Sequence, residues 1–427
     1  MKHKTFLNYK LLSVVILFIA FVSCSDDFTD RPPEDSISLD AYYNNNSQVA
    51  SATNGMYSRT WFQLCNKFFW ALEVGSGNMY SGSPDVAALR TFSLNGSDPE
   101  LANGWASLWA NVAQANAIIN FLETRVGPTV DQSVIDNTVD YSSDPAINTS
   151  PVADIYTLIV RDYTNAIQRL KSKNRGSNYS ENGHVSKGSA KAMLAKVYLY
   201  QEDYPNARLM AEEVINSGEF KLLGGSALPS KSFADLFTYS HNNNEESIFA
   251  LQWKGDGQYG SANNSNTQFG ISSSTVSTSN ASYGGVMGPS QDVLTLYAAN
   301  DLRGHETVMV PGDVYPNMNT SIGVGFTVPD EDNAQGSGGG IKKYCLGVQS
   351  NETGPVDAWA MMDNSTYIMR YAELLLIHAE AILAGGGSTS DANALNMGAF
   401  QGENNDGAQS VDYDTNDLSF LYEPITM

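Results

Sequence analysis

Toward the C-terminal end the chain reads Tyr367-Ile368-Met369-Arg370-Tyr371-Ala372-Glu373-Leu374-Leu375-Leu376-Ile377-His378-Ala379-Glu380-Ala381. Neither Gly nor Pro interrupts residues 367–384, and good helix formers fill them, so the stretch predicts one helix over that whole span. Apolar residues run almost all the way round it. Such a helix is buried in a large helical core rather than laid on a surface. Its polar residues fall into one seam: Arg370 and Glu373 are three apart, and Glu380 lies two turns beyond Glu373 on the same side. Gly385-Gly386-Gly387 closes the helix.

A core of that kind needs further helices, and the chain supplies them. Residues 186–201 and 204–217 predict two helices with Glu202-Asp203 turning between them. Leu194, Ala195, Tyr198, Ala207, Ala211 and Val214 follow tetratricopeptide-type spacing, in which small residues let the two helices approach closely. Residues 105–123 and 153–170 are amphipathic and read as helices, and the recurrence of Tyr42, Val49, Ala52, Met56 and Trp61 predicts another within residues 40–62. Trp105 and Trp109 share a helix face, and core packing is the expected role of both. Strands are expected to be short: residues 246–253 alternate like one, and residues 340–344 form a second. Pro289 opens a short helix over residues 288–297. Asp301 and Arg303 read as a structural ion pair or cap.

Two stretches stay irregular. Residues 70–104 hold Gly75, Gly77, Gly82, Pro84, Gly96 and Pro99, and residues 254–288 are rich in Gly, Ser, Asn and Thr. Loops of such length in a compact domain are often functional.

Composition narrows the partners. The chain has 427 residues, enough for a large core, and a formal net charge of −22. Nucleic-acid binding needs a basic footprint, which this charge excludes. Only 16% of residues are charged while 11% are aromatic, so polarity rests on Asn, Ser, Thr and Gly. Tyr and Trp faces with amide side chains suit neutral ligands such as sugars. No G-x-S-x-G elbow, H-E-x-x-H, C-x-x-C or phosphate loop is present. The five His (His3, His184, His241, His305, His378) are scattered. Glu373 and Glu380 are better read as structural than as a hydrolytic pair, and the acidic run Asp330-Glu331-Asp332 as solvated. No metal or cofactor is expected.

Residues 1–23 carry Lys2, Lys4 and Lys10 before an apolar run over residues 11–22, too short for the ~20 residues of a spanning helix, and so read as a secretory signal. Phe21-Val22-Ser23-Cys24 resembles a lipobox, which makes Cys24 the lipidation site and the membrane anchor. Residues 24–39, with Pro32-Pro33, form an extended tether, and residues 40–427 one domain. Of the other cysteines, Cys65 reads as a buried small apolar residue rather than a disulfide partner of Cys345.

The run from Arg370 to Ala381 resembles the "RYAEvLLiyAEA" signature of the SusD/RagB family, surface lipoproteins of Bacteroidetes that capture nutrients, usually glycans, for a TonB-dependent barrel. Ala52-Thr53-Asn54-Gly55-Met56-Tyr57, the Trp-x3-Trp helix, the Asp301-Leu302-Arg303 turn and Lys342-Lys343-Tyr344 resemble further family segments, so the resemblance covers about residues 20–395. It implies a mainly α SusD-like fold of tetratricopeptide-type helix pairs with irregular loops and short strands. It also implies a non-enzymatic glycan-binding lipoprotein at the outer face of the outer membrane, with a SusC-like TonB-dependent barrel and an oligosaccharide as partners. Ser25-Asp26-Asp27 then resembles a surface-export tag. Arg370, Tyr371, Glu373 and Glu380 become scaffold. The two long loops border the ligand, which makes Trp70, Asn78, Tyr80, Tyr259 and Tyr283 the candidate ligand residues. A peptide-binding member of the family is the alternative, and a surface polysaccharide hydrolase the alternative from another class. Family members usually continue past the signature helix into an Arg-rich helix and an ERRxEL-like block. Here residues 391–396 start like the first, and Gly- and Asn-rich sequence follows. This is either a short, divergent member or a truncated chain.

Overall fold

The structure, a computed structural model, describes residues 43–57, 59–65, 69–124, 151–176, 178–256, 260–263, 287–297, 301–320, 323–330, 338–344 and 362–388. The signal, Cys24, the tether, Tyr259, Tyr283, Cys345 and the residues after 388 lie outside them. Among the described residues no helix is long and apolar enough to cross a membrane.

In chain order the elements are α1 (Asn46–Gly55), α2 (Phe69–Gly75), β1 (Met79–Tyr80), α3 (Ala87–Arg90), α4 (Pro99–Thr124), α5 (Val152–Arg169), α6 (Lys187–Tyr200) and α7 (Tyr204–Ser217). Then follow β2 (Ser247–Leu251), β3 (Gly288–Pro289), α8 (Gln291–Leu296), α9 (Leu302–Thr307), β4 (Val308–Met309), β5 (Val314–Thr320), β6 (Gly323–Thr327) and β7 (Gly340–Ile341). β8 (Thr366–Arg370) and α10 (Tyr371–Ala384) close the series. Among the described residues the strands make four separate two-stranded antiparallel ribbons: β1–β3, β2–β8, β4–β7 and β5–β6. The fold is therefore mainly α, as expected.

The chain divides into two compact units. In the unit of residues 1–53 and 117–138, Val49, Ile118 and Leu122 are buried, and the Tyr43 and Phe121 rings stack at 5.2 Å. The other unit, residues 54–116 and 139–427, holds most of the core.

The helix pair α6–α7 forms as the spacing predicts. Ser186 accepts the Ser189 N–H at 3.1 Å to cap α6. Asp203 caps α7, Pro205 occupies its first turn, and Gly218 ends it at φ 66°. Ala192, Ala195, Ala207 and Ala211 have no exposed surface, so the two backbones meet closely. α5 packs on α6, and α10 packs on both α6 and α7. Beneath them, Ile248, Met369, Leu374, Ile377, Val214 and Phe220 make one apolar cluster.

Four expectations are corrected. Residues 367–370 are not helix: they form β8, with Ser247 opposite Arg370 and Leu251 opposite Thr366. Thr366, Tyr367 and Ile368 suit a pleated surface, and β2 offers them unpaired backbone groups, so the helix begins only at Tyr371. Residues 70–104 are not one loop. They contain α2, β1, α3 and the start of α4, which Asp98 caps by accepting the Glu100 and Leu101 N–H groups. Lys342-Lys343-Tyr344 turn as a 3₁₀ helix after only two strand residues.

The fourth correction concerns Trp105 and Trp109, which are not core. They are 63% and 54% exposed and meet edge to face at 5.8 Å. In the first half of α4 the buried residues are polar: the Ser107 hydroxyl donates to the Thr60 carbonyl, and Thr60 donates to Asn111. Hydrogen bonds orient this half of the helix, while Ile118 and Leu122 bury apolar area in the other.

Cys65 is a free thiol packed against the cluster of Phe62, Leu251 and Trp253, and burial pushes its pKa up.

Candidate functional site

The ribbon β1–β3 joins the two stretches that the sequence set apart as ligand-side loops. Met79 lies opposite Pro289 and Tyr80 opposite Gly288, and the Ser290 N–H donates to the Asn78 carbonyl at 3.0 Å. Side chains alternate along a strand. Met79 packs against the buried cluster of Val74, Val86, Leu89, Met287, Val308 and Ile341. Tyr80, the next residue, is accordingly 40% exposed. Ser83 caps the turn that follows, placing α3 and Arg90.

Arg90 fixes the ribbon from the side. Its guanidinium donates to the Ser81 carbonyl and sits 5.8 Å from the centroid of the Tyr80 ring. Asn78 is exposed, and its amide donates to Glu73 Oε2 at 3.0 Å. The turn before it needs Gly77 at φ 84°. Phe92, two residues past Arg90, is 82% exposed and held at φ 53°, a left-handed conformation that is unusual for an aromatic residue. The surface thus presents a tyrosine ring, a carboxamide and a guanidinium on a packed base, a set that can stack on a ring face and pair with hydroxyls.

Of the five candidate ligand residues, the structure brings Asn78 and Tyr80 together. Trp70 lies on α2, while Tyr259 and Tyr283 lie outside the described residues. Sequence reasoning missed Arg90 and Phe92. The only signal for them was a cation and an aromatic just beyond a predicted loop aromatic.

The signature residues sit elsewhere, each with a distant partner. Arg370 pairs with Glu246 at 2.5 Å, and Glu246 is wholly buried. Glu246 also accepts the Leu223 N–H through its side chain and the Tyr371 N–H through its backbone. It thereby fixes the point where β8 turns into α10. Glu373 pairs with Lys196 of α6 at 2.6 Å, not with Arg370. The Tyr371 ring stacks on Phe220 at 6.2 Å. Burial raises the Glu380 carboxyl above its ordinary pKa. His378 is buried, approaches Glu212 at 3.4 Å, and is held below its ordinary pKa by burial, against the pull of Glu212. Asp301 caps α9 and pairs with Arg303 at 2.7 Å, the structural role expected of it. Among the described residues no group of His, Cys, Asp or Glu is arranged to hold a metal.

Residues 245–397 match the model of the SusD family. The chain is 26% identical to a SusD-like protein of Bacteroides ovatus, over 92% of this chain and 75% of that one. Among solved structures it resembles a laminarin-binding SusD-like protein, with TM-score 0.64 and 21% identity over 84% of this chain and 85% of that one. It also resembles a protein crystallised with xylogluco-oligosaccharide, with TM-score 0.61 and 21% identity over 84% and 81% of the two chains. With its largely buried Arg370–Ala381 stretch, its mainly α architecture and these matches, the chain is similar to the SusD/RagB family, whose model its residues 245–397 match.

Proposed function

We propose that this protein is a non-catalytic, surface-exposed lipoprotein that captures an oligosaccharide and delivers it to a SusC-like TonB-dependent outer-membrane transporter, anchored through lipid on Cys24. The observation that carries the reading is the β1–β3 ribbon. It presents an exposed tyrosine, with Arg90 against its ring, on a base packed into a buried apolar cluster. A preformed surface loses little entropy when a sugar ring settles on it. Two structural relatives, one described as laminarin-binding and one crystallised with a xylogluco-oligosaccharide, support glycan as the ligand class. The signature carboxylates favour no hydrolytic role, since Glu373 is tied to Lys196 and lies on the same helix as the half-buried Glu380. Capture of this kind needs neither cofactor nor metal.

A glycan-array screen of the protein beginning after Cys24, followed by titration of the hits, tests the reading. Saturable binding of one glycan class that weakens in Tyr80→Ala is the expected result. Protein that is folded by circular dichroism and binds no glycan would overturn it.

A further inference from the structure

Helix α3 ends on a backbone pattern that normally asks for glycine. The Ser93 N–H donates to the Ala88 carbonyl at 2.8 Å, and the Phe92 N–H donates to the Leu89 carbonyl at 3.2 Å. These are the two bonds of a Schellman motif, and they put Phe92 one residue past the C-cap Thr91, at φ 53°. A Cβ in that left-handed region crowds the following carbonyl, so glycine is the usual occupant. Side chains fix the turn further. The Thr91 hydroxyl donates to the Ala87 carbonyl at 2.8 Å and lies 2.8 Å from Ser93 Oγ.

Elsewhere in the chain, residues held at positive φ have a structural return. Tyr43 and Asn243 are buried, Tyr43 stacked on Phe121 and Asn243 bonded to Gln252 at 2.7 Å. Glu202 is a polar residue in the exposed turn between α6 and α7. Phe92 has neither burial nor polarity: its side chain is the most exposed large apolar one among the described residues. A backbone cost that packing does not offset points to a functional constraint.

The position of Phe92 says which function. Leu89, three residues before it, is buried with Val74, Val86 and Met287 in the cluster on which Met79 packs. The turn and the β1–β3 ribbon therefore stand on one base. Between them Arg90 donates to the Ser81 carbonyl and faces the Tyr80 ring. Two peptide units separate Phe92 from Arg90, so their Cα atoms lie within about 8 Å of each other.

We propose that Phe92 is a second stacking ring of the ligand surface, and that the surface takes a glycan of two or more sugar units, one against Tyr80 and another against Phe92. The proposal rests on the glycan-capture reading and adds to it a specificity-determining residue and a minimum ligand length. A ring already fixed by its turn adds contact area at little entropic cost when the ligand arrives.

A glycan array carrying mono- and oligosaccharides tests it, probed in parallel with the full chain and its Phe92→Ala, Phe92→Gly, Phe92→Tyr and Tyr80→Ala variants, with titration of each hit. Oligosaccharides are expected to bind at least about tenfold tighter than their monosaccharides. Phe92→Ala and Phe92→Gly each weaken oligosaccharide binding about tenfold, and Phe92→Tyr, which keeps the ring, retains it. Phe92→Gly at the same time raises the melting temperature by about 1–2 °C, because glycine suits the left-handed position. A variant that gains stability and loses affinity has not lost it by misfolding. Unchanged binding in Phe92→Ala, equal affinity for monosaccharide and oligosaccharide, or a lower melting temperature in Phe92→Gly overturns the proposal. If Tyr80→Ala loses binding while Phe92→Ala keeps it, the second ring fails and the capture function stands. If the parent binds no glycan, both fail.

Discussion

The surroundings of Glu246 and the ribbon of Tyr80 use polar side chains in opposite ways. At the buried Glu246 and along the signature helix, charged groups find partners far along the chain: Arg370 is 124 positions from Glu246, and Glu373 reaches Lys196 across 177. On the ribbon the polar contacts are local. Asn78 reaches Glu73 five positions away, Arg90 reaches Ser81 nine away, and Tyr80 is open to solvent. Distant pairing removes polar groups from water and locks helices and strands together. Local pairing orients side chains while leaving their outer faces free. The family signature belongs to the first kind and the candidate ligand surface to the second, so the most recognisable residues of this chain are not the ones placed to touch ligand.

The sharpest way to break that contrast is Arg370→Ala, which strands a wholly buried carboxylate at Glu246. It is expected to cost about 3–5 kcal/mol in denaturant unfolding. A loss under about 1 kcal/mol would mean that the pair contributes little to the scaffold.

Gly188→Ala acts on the same side of the comparison. An added Cβ would stand 2.5 Å from Glu219 Oε2 and 2.9 Å from the Phe220 ring, beside the buried Arg175–Glu219 pair. Overpacking there is expected to cost about 1–3 kcal/mol, again read by unfolding.

Tyr80→Ala tests the other side. Its stability should stay within about 0.5 kcal/mol of the parent, while affinity for a neutral glycan falls about tenfold. A large stability loss without a binding change would place Tyr80 in the scaffold.

The smallest effect is a pH dependence. Burial lowers the pKa of His378 below its unfolded value, with Glu212 opposing and Arg208 assisting, so the folded state favours the neutral ring. The stabilisation is present above about pH 6.5 and is lost as pH falls from there toward the folded value. His378→Gln should flatten the fall in Tm between about pH 7 and about pH 5.5. An unchanged slope would assign it to other groups.

Much of the scaffold was legible because its signals are local. Ser186, Asp203 and Gly218 cap the helices they were expected to bound, and the alanines of α6 and α7 are buried where their spacing put them. The candidate site was legible in part. Residues 78–80 stood out among glycines, but Arg90 and Phe92 did not, because only the fold of α3 brings a guanidinium to the Tyr80 ring.

By itself the sequence determined the helical character of the core, the close approach of α6 and α7, the Asp301 cap and the family resemblance, because periodicity, capping chemistry and a dozen-residue signature act within one or two turns of chain. Tertiary structure alone decided that residues 367–370 pair as a strand, that Arg370 answers to Glu246 and Glu373 to Lys196, and that Trp105 and Trp109 face outward. The reason is the same in each case. A strand needs a neighbouring strand, a buried charge needs its counter-charge, and a helix turns toward whichever face its surroundings satisfy, and those partners lie far away in the chain.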